Sequence, residues 1–191
     1  MNWVNALRFK TPAAEIERVI INQCGPILMG DKPSAVFPLQ SEICFAGLTR
    51  LLPPNIQLLT LRKNANSLLV MAFDKNLLEK TLSNKKILTL LAGMGYPAGV
   101  SVYVLLDYLK NRFHCEDFPH EVGFFLGFPV EDVLGFVKHR GQNYKLCGYW
   151  KVYGNVSRAK ECFRKYDFCR ERMKIYFHQL KGAVRTSFSN F

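Results

Sequence analysis

The longest uncharged run in the chain, residues 87–106, is 20 residues long, the length at which an α-helix spans a bilayer. Whether that run enters lipid or a water-soluble core decides the class of fold. Its middle argues for the core. Gly93, Gly95, Pro97 and Gly99 fall within seven positions, and a proline there removes a backbone donor that hydrocarbon cannot replace. The run reads as two helices meeting at a turn. With 191 residues and 49% hydrophobic content, the chain has enough apolar material to bury such a core without a disulfide or a metal.

Around this run the pattern alternates between helix and strand. Thr11-Pro12 reads as an N-cap and first helical residue, with Ile16, Val19 and Ile20 at helical spacing. That helix is expected to stop at Cys24, where Gly25-Pro26 opens a shaped loop. A short strand is expected at residues 35–37 and a helix from Ser41 to the Pro53-Pro54 stop. Residues 56–62 and 67–73 (IQLLTLR and SLLVMAF) are β-prone runs joined by Lys63-Asn64-Ala65-Asn66, the clearest hairpin signal in the chain. Helices are expected over residues 74–82, 83–93 and 99–113. Two similar strings, Phe118-Pro119-His120-Glu121 and Phe128-Pro129-Val130-Glu131, read as helix starts with a first-turn glutamate. Residues 144–153 alternate, with Leu146, Gly148, Trp150 and Val152 on one face and Lys145, Cys147, Tyr149, Lys151 and Tyr153 on the other, which predicts one more strand. A last helix begins after Gly154-Asn155. The fold expected is α+β: a mostly helical single domain over residues 1–181, with a small antiparallel sheet made of the 56–73 hairpin plus a strand at about 144–153, and a flexible tail at residues 182–191.

The net charge is +11, and it is unevenly placed. Residues 137–191 carry 13 basic and 3 acidic side chains, against 13 and 12 in the preceding 136. An anionic partner is therefore expected, met by Lys145 and Lys151 on the aromatic strand face and by Arg158, Lys165 and Arg172 on one flank of the last helix. A solvated helix face is the plainer account of the same charges. Six cysteines without a CxxC pair, and residues 1–10 without a basic start and a long apolar run, point to reduced thiols and a cytoplasmic location.

Chemistry-bearing candidates are few. Cys24, at a helix end beside a Gly-Pro loop with Lys32 eight residues on, is a candidate nucleophile; His120 is its candidate base, with Asn143 as orienter. Against this, a free cysteine is commonly a small buried residue, and Glu121 is explained first as a helix cap. His114, Cys115, His120 and Glu121, with Cys24, match no closed zinc spacing, so no metal is assigned; a haem or iron role for Cys24 or His120 is not selected by any spacing. The paired helices at residues 118–138 invite comparison with a helix-turn-helix, but Glu131-Asp132 would meet DNA phosphates with the wrong sign.

The strings Cys24-Gly-Pro-Ile-Leu-Met-Gly-Asp-Lys-Pro33, Phe118-Pro-His-Glu121 and Trp150-Lys-Val-Tyr-Gly154 resemble an uncharacterised family of anaerobic Firmicutes, chiefly clostridia, that carries a domain-of-unknown-function label. The resemblance implies a cytoplasmic bacterial protein with marked positions at Cys24, Lys32, His120, Glu121, Trp150, Lys151 and Tyr153. It implies no reaction.

Two functions are consistent with these residues, with a haem- or iron-binding protein as a further alternative. In one, a thiol- and histidine-containing enzyme or cofactor protein acts on a phosphate- or carboxylate-bearing small molecule. Its catalytic residues would be Cys24, His120 and Glu121, and its ligand would be held by Lys32, Lys145, Tyr149, Trp150, Lys151, Tyr153 and Arg158. In the other, the basic aromatic C-terminal region binds nucleic acid without catalysis. The small molecule is preferred because a nucleic-acid binder has no need of Cys24 and His120. No cofactor or oligomeric state is legible.

Overall fold

A computed structural model describes residues 11–115 and 117–188, with side chains described as far as Leu180. Among these residues the fold is α+β and mainly helical. At its centre lies a three-stranded antiparallel sheet, β1 (Ser34–Leu39), β2 (Ile56–Asn64) and β3 (Ser67–Asp74), in the order β1-β3-β2. The β2–β3 hairpin turns at Ala65-Asn66 and pairs Asn64 with Ser67; between Thr60 and Arg62 the register slips by the extra residue Leu61, a buried bulge.

Strand β3 is buried on both faces, and its period of two separates two cores. Met71 and Phe73 face one core together with α4 (Lys75–Leu82), α5 (Lys85–Gly93), α6 (Val102–Arg112), α7 (Val122–Phe125) and α8 (Val130–Lys138). Leu68, Val70 and Ala72 face the other with α1 (Pro12–Val19), the π-helical turn Ile20–Cys24, α2 (Gly25–Leu28) and α3 (Glu42–Leu51). Helix starts follow the polar residues that the sequence offers. Thr11, Ser41, Asp74 and Asn84 each accept a first-turn backbone N–H, satisfying donors that the helix itself leaves open. The uncharged run at residues 87–106 is the end of α5, a turn, and the start of α6. Among the described residues no helix is long and apolar enough to cross a membrane.

Three local readings of the sequence are revised. The first helix does not stop at Cys24; it widens into the π turn and runs on as α2, with Pro26 in its first turn, where a missing N–H costs little. Residues 144–153 form no continuous strand. They form a miniature hairpin of β4 (Leu146–Cys147) and β5 (Lys151–Val152), turned at residues 148–150. The third revision concerns Glu121, whose side chain makes no cap bond at α7. The last helix, α9 (Val156–Phe188), starts as expected, with the Arg158 N–H donating to Asn155 Oδ1 at 3.0 Å; residues 189–191 of the expected tail lie outside the described residues.

Two glycines fix where α9 and α7 lie. A Cβ on Gly25 would lie 3.2 Å from Met173 Cγ, so its absence lets α9 lie close against α2. Gly127, at φ +77°, makes the turn from α7 to α8 with Pro33 against it, a conformation that L side chains resist.

Candidate functional site

Between the π turn, the loop after α2, the α7–α8 corner, the β4–β5 hairpin and α9 lies a cavity of about 340 Å³, within the size range of small-molecule sites. Its walls are chiefly aromatic: Phe118, Phe128, Phe136, Tyr149, Trp150 and Tyr166. The polar lining comes from Asn22, Gln23, Lys32, His120, Asp132, Lys151 and Arg170.

The aromatic wall is built on one buried carboxylate. Asp132, 3% exposed in the first turn of α8, accepts from Trp150 Nε1, from the Tyr153 N–H and from the Gly154 N–H, each at 2.7 Å. It thereby fastens the miniature hairpin onto α8 and fixes the indole. Trp150 then stacks on Phe128, with centroids 4.9 Å apart, and meets Phe163 edge-on at 4.6 Å.

Lys32 reaches the cavity from a tight turn in which the Asp31 and Lys32 N–H groups both donate to Pro26 O, at 2.9 and 3.1 Å. Its Nζ lies 5.7 Å from the ring centres of both Phe128 and Tyr166, and no hydrogen bond or carboxylate partner meets it among the described residues. Burial lowers its pKa from 10.5 to about 8, partly opposed by the Cys162 and Cys24 thiols. Arg170 is tied more firmly. Its Nε and Nη2 donate to Asn22 Oδ1 at 3.1 and 2.6 Å, and Nη1 donates to the Tyr149 hydroxyl at 3.0 Å. That hydroxyl in turn donates to Asp167 Oδ1 at 2.7 Å. Three of the five guanidinium N–H groups are thus engaged.

At the rim, His120 is exposed, its ring 5.5 Å from that of Phe118 and 5.0 Å from that of Phe136. The Lys151 Nζ donates to Gly141 O at 2.7 Å and sits over the Tyr144 ring at 4.9 Å.

Of the residues singled out in the sequence, Lys32, His120, Tyr149, Trp150 and Lys151 therefore share one cavity. The others do not line it. Cys24 is 0% exposed in the second core, where burial pushes its thiol up to about 12, so the thiolate needed by a nucleophile is suppressed at neutral pH. Glu121, 5% exposed, accepts from Arg112 Nε at 3.0 Å and the Tyr96 hydroxyl at 3.2 Å, and so ties α6 and the loop after α5 to the start of α7. Lys145 donates to Gly154 O at 3.1 Å. Tyr153 stacks on His139 at 5.7 Å, its hydroxyl buried with no partner among the described residues. Arg158 is exposed at the start of α9.

Sequence reasoning passes over Asn22, Gln23, Asp132, Tyr166 and Arg170. Arg170 is one basic residue among many in the last helix, and only the seven-residue flank of Arg158, Lys165 and Arg172 stands out from that run by its spacing. Asn22 and Gln23 become visible only with the π turn, a distortion frequently found at functional sites.

Residues 20–184 match the model of a family described as protein of unknown function (DUF3793). The chain belongs to that family. Neither the curated proteins nor the solved structures yielded a match.

Proposed function

We propose that this member of the DUF3793 family binds, in the aromatic cavity between α8, the miniature hairpin and α9, a small molecule that combines a flat ring with a carboxylate or phosphate. The observation that carries this reading is the Lys32 amine. A half-buried lysine whose amine lies between two rings with no anion beside it is only partly hydrated, at some cost to its charge; an anionic ligand supplies the missing partner through a charge-assisted hydrogen bond. The Trp150, Phe128 and Tyr166 rings offer faces for a planar group. The two N–H groups of Arg170 not spoken for add a second anchor for anionic oxygens.

The cavity favours a small molecule over nucleic acid. The lysines of the supposed basic strand face, Lys145 and Lys151, donate to backbone carbonyls of their own fold, so no open row of cations tracks a phosphate backbone there. Within this reading His120 is a group at the rim able to take or give a proton, whereas Cys24 and Glu121 serve packing. The function needs no thiol.

A thermal-shift panel of aromatic carboxylates and aryl phosphates, each paired with its neutral amide or alcohol, tests the proposal. A ligand at a hundred times its Kd adds about 2.7 kcal/mol of stability, which for a chain of this size raises Tm by roughly 5–11 °C. Stabilisation by the anions and not by their neutral counterparts is expected; equal responses, or none, would overturn it.

A further inference from the structure

The lysines around the cavity are employed differently. Lys151 and Lys145 end on backbone carbonyls, and elsewhere Lys75 and Lys174 pair with Glu79 and Glu171. Lys151 and Lys32 each have the amine set over two rings, Phe136 and Tyr144 for the one and Phe128 and Tyr166 for the other, but Lys32, held by a proline-braced turn, has neither a carbonyl nor a carboxylate to receive it among the described residues. A structural lysine is normally given a partner or left in water. The amine of this half-buried lysine, set between aromatic rings on the wall of a cavity of ligand size, is placed as a nucleophilic amine would be for attack on carbon.

We infer that the cavity takes a carbonyl compound, the Lys32 amine forming an imine with an aldehyde or ketone whose anionic group is held by Arg170 and whose ring lies against Trp150 and Phe128. This rests on the proposed binding of a ring-bearing anion and adds to it the ligand's reactive group. In the step, the amine lone pair forms the C–N bond while the carbonyl π pair moves onto oxygen, and one amine proton passes to that oxygen to give the carbinolamine. The second amine proton then leaves with the hydroxyl as water, and the C=N bond closes. No oxidant or reductant is needed. Protonated from solvent, the imine keeps the positive charge at this position, so the anionic group retains its partner.

The lowered pKa of Lys32, about 8, supports the geometry. At pH 7 about one amine in ten is neutral, against roughly one in 2,500 for an ordinary lysine.

The experiment treats the full chain at pH 7.5 with substoichiometric pyridoxal 5′-phosphate, an anionic ring aldehyde, and sodium cyanoborohydride, and maps the reduced adducts by peptide mass spectrometry. Binding of pyridoxine 5′-phosphate, which lacks the carbonyl, is measured in parallel by tryptophan fluorescence. The expected result is labelling of Lys32 at least about tenfold above any other lysine, in line with its larger neutral fraction. Pyridoxine 5′-phosphate should suppress that labelling, and Lys32→Arg should lose it. Suppression in the wild-type chain keeps the test valid should the variant fold poorly. Adducts spread over exposed lysines, with pyridoxine 5′-phosphate still bound, would overturn the imine and leave the binding reading intact. Absence of both would overturn both.

Discussion

Replacing Asp132 by alanine should loosen the aromatic wall of the cavity and destabilise the whole chain. The carboxylate accepts three hydrogen bonds at 2.7 Å, from one indole and two backbone N–H groups, and it is 3% exposed. Each buried donor left without a partner costs about 1–3 kcal/mol. The two backbone donors are only partly buried, so water can reach them in the variant, and the loss falls in the lower part of the summed range, about 3–5 kcal/mol. For a chain of this length that corresponds to a Tm lower by roughly 6–20 °C. Asp132→Asn should cost less, about 1–2 kcal/mol, because an amide oxygen still receives the two backbone donors while its NH2 faces the indole N–H. Urea unfolding followed by tryptophan fluorescence and far-ultraviolet circular dichroism measures both values. A double-mutant cycle with Trp150→Phe should show a coupling of about 1–2 kcal/mol, within the range for groups sharing a hydrogen bond. An Asp132→Ala loss under about 1 kcal/mol, or Asn costing more than Ala, would refute the claim that this carboxylate fastens the hairpin to α8.

Three further outcomes are expected. Glu121→Gln should lower stability by about 1–2 kcal/mol, the low part of the range for a charged hydrogen bond, because the Arg112 side chain is 42% exposed; a neutral result by urea titration would remove the α6–α7 tie from the account. Iodoacetamide at pH 7.5 should modify the exposed Cys115 and Cys147 well before Cys24 and Cys169, whose thiols burial raises to about 12 and about 11, and time-resolved mass spectrometry that finds Cys24 among the first would return it to candidacy as a nucleophile. Lys32→Met should stabilise the unliganded protein at pH 7. The folded-state pKa of Lys32 lies below its unfolded value, so the unfolded chain binds more protons between about pH 8 and 10.5 and wild-type stability rises through that window. The advantage of the variant should therefore shrink over that interval, and a constant difference would contradict the burial of this charge.

What the sequence disclosed and what it hid have separate physical causes. Hairpin and helix starts are local: alternation at residues 56–73 and polar caps at Thr11, Ser41 and Asp74 act within a few residues, and each appears where expected. The miniature hairpin defeated the same reasoning. Its residues do alternate, but the turn at residues 148–150 brings Tyr149, Trp150 and Lys151 to one cavity although their parities differ. At Cys24 the Gly-Pro pair signalled a stop, yet a π turn carried the helix past it and turned Asn22 and Gln23 to the cavity. Glu121 looked like a helix-start acid and Asp132 drew notice only beside Glu131 as a charge of the wrong sign for DNA; long-range partners, Arg112 and Trp150, gave each its actual task. Lys32 was legible as a cation near Cys24. Its enclosure by Phe128 and Tyr166 depends on segments more than 90 residues away in the chain, which no local pattern encodes.

The affinity of a non-carbonyl ring anion for this cavity, measured by calorimetry from pH 6.5 to 9.5 on the wild-type chain and on Lys32→Met, shows whether the Lys32 ammonium is the charge that holds the ligand. Wild-type affinity should fall as pH rises through about 8, where the Lys32 ammonium loses its proton. The variant should bind at least about tenfold more weakly at pH 7, the loss of one charge-assisted hydrogen bond, with little dependence on pH. Equal affinities for the two proteins, or a wild-type affinity flat across that interval, would contradict the assignment of Lys32 as the charge that recognises the ligand.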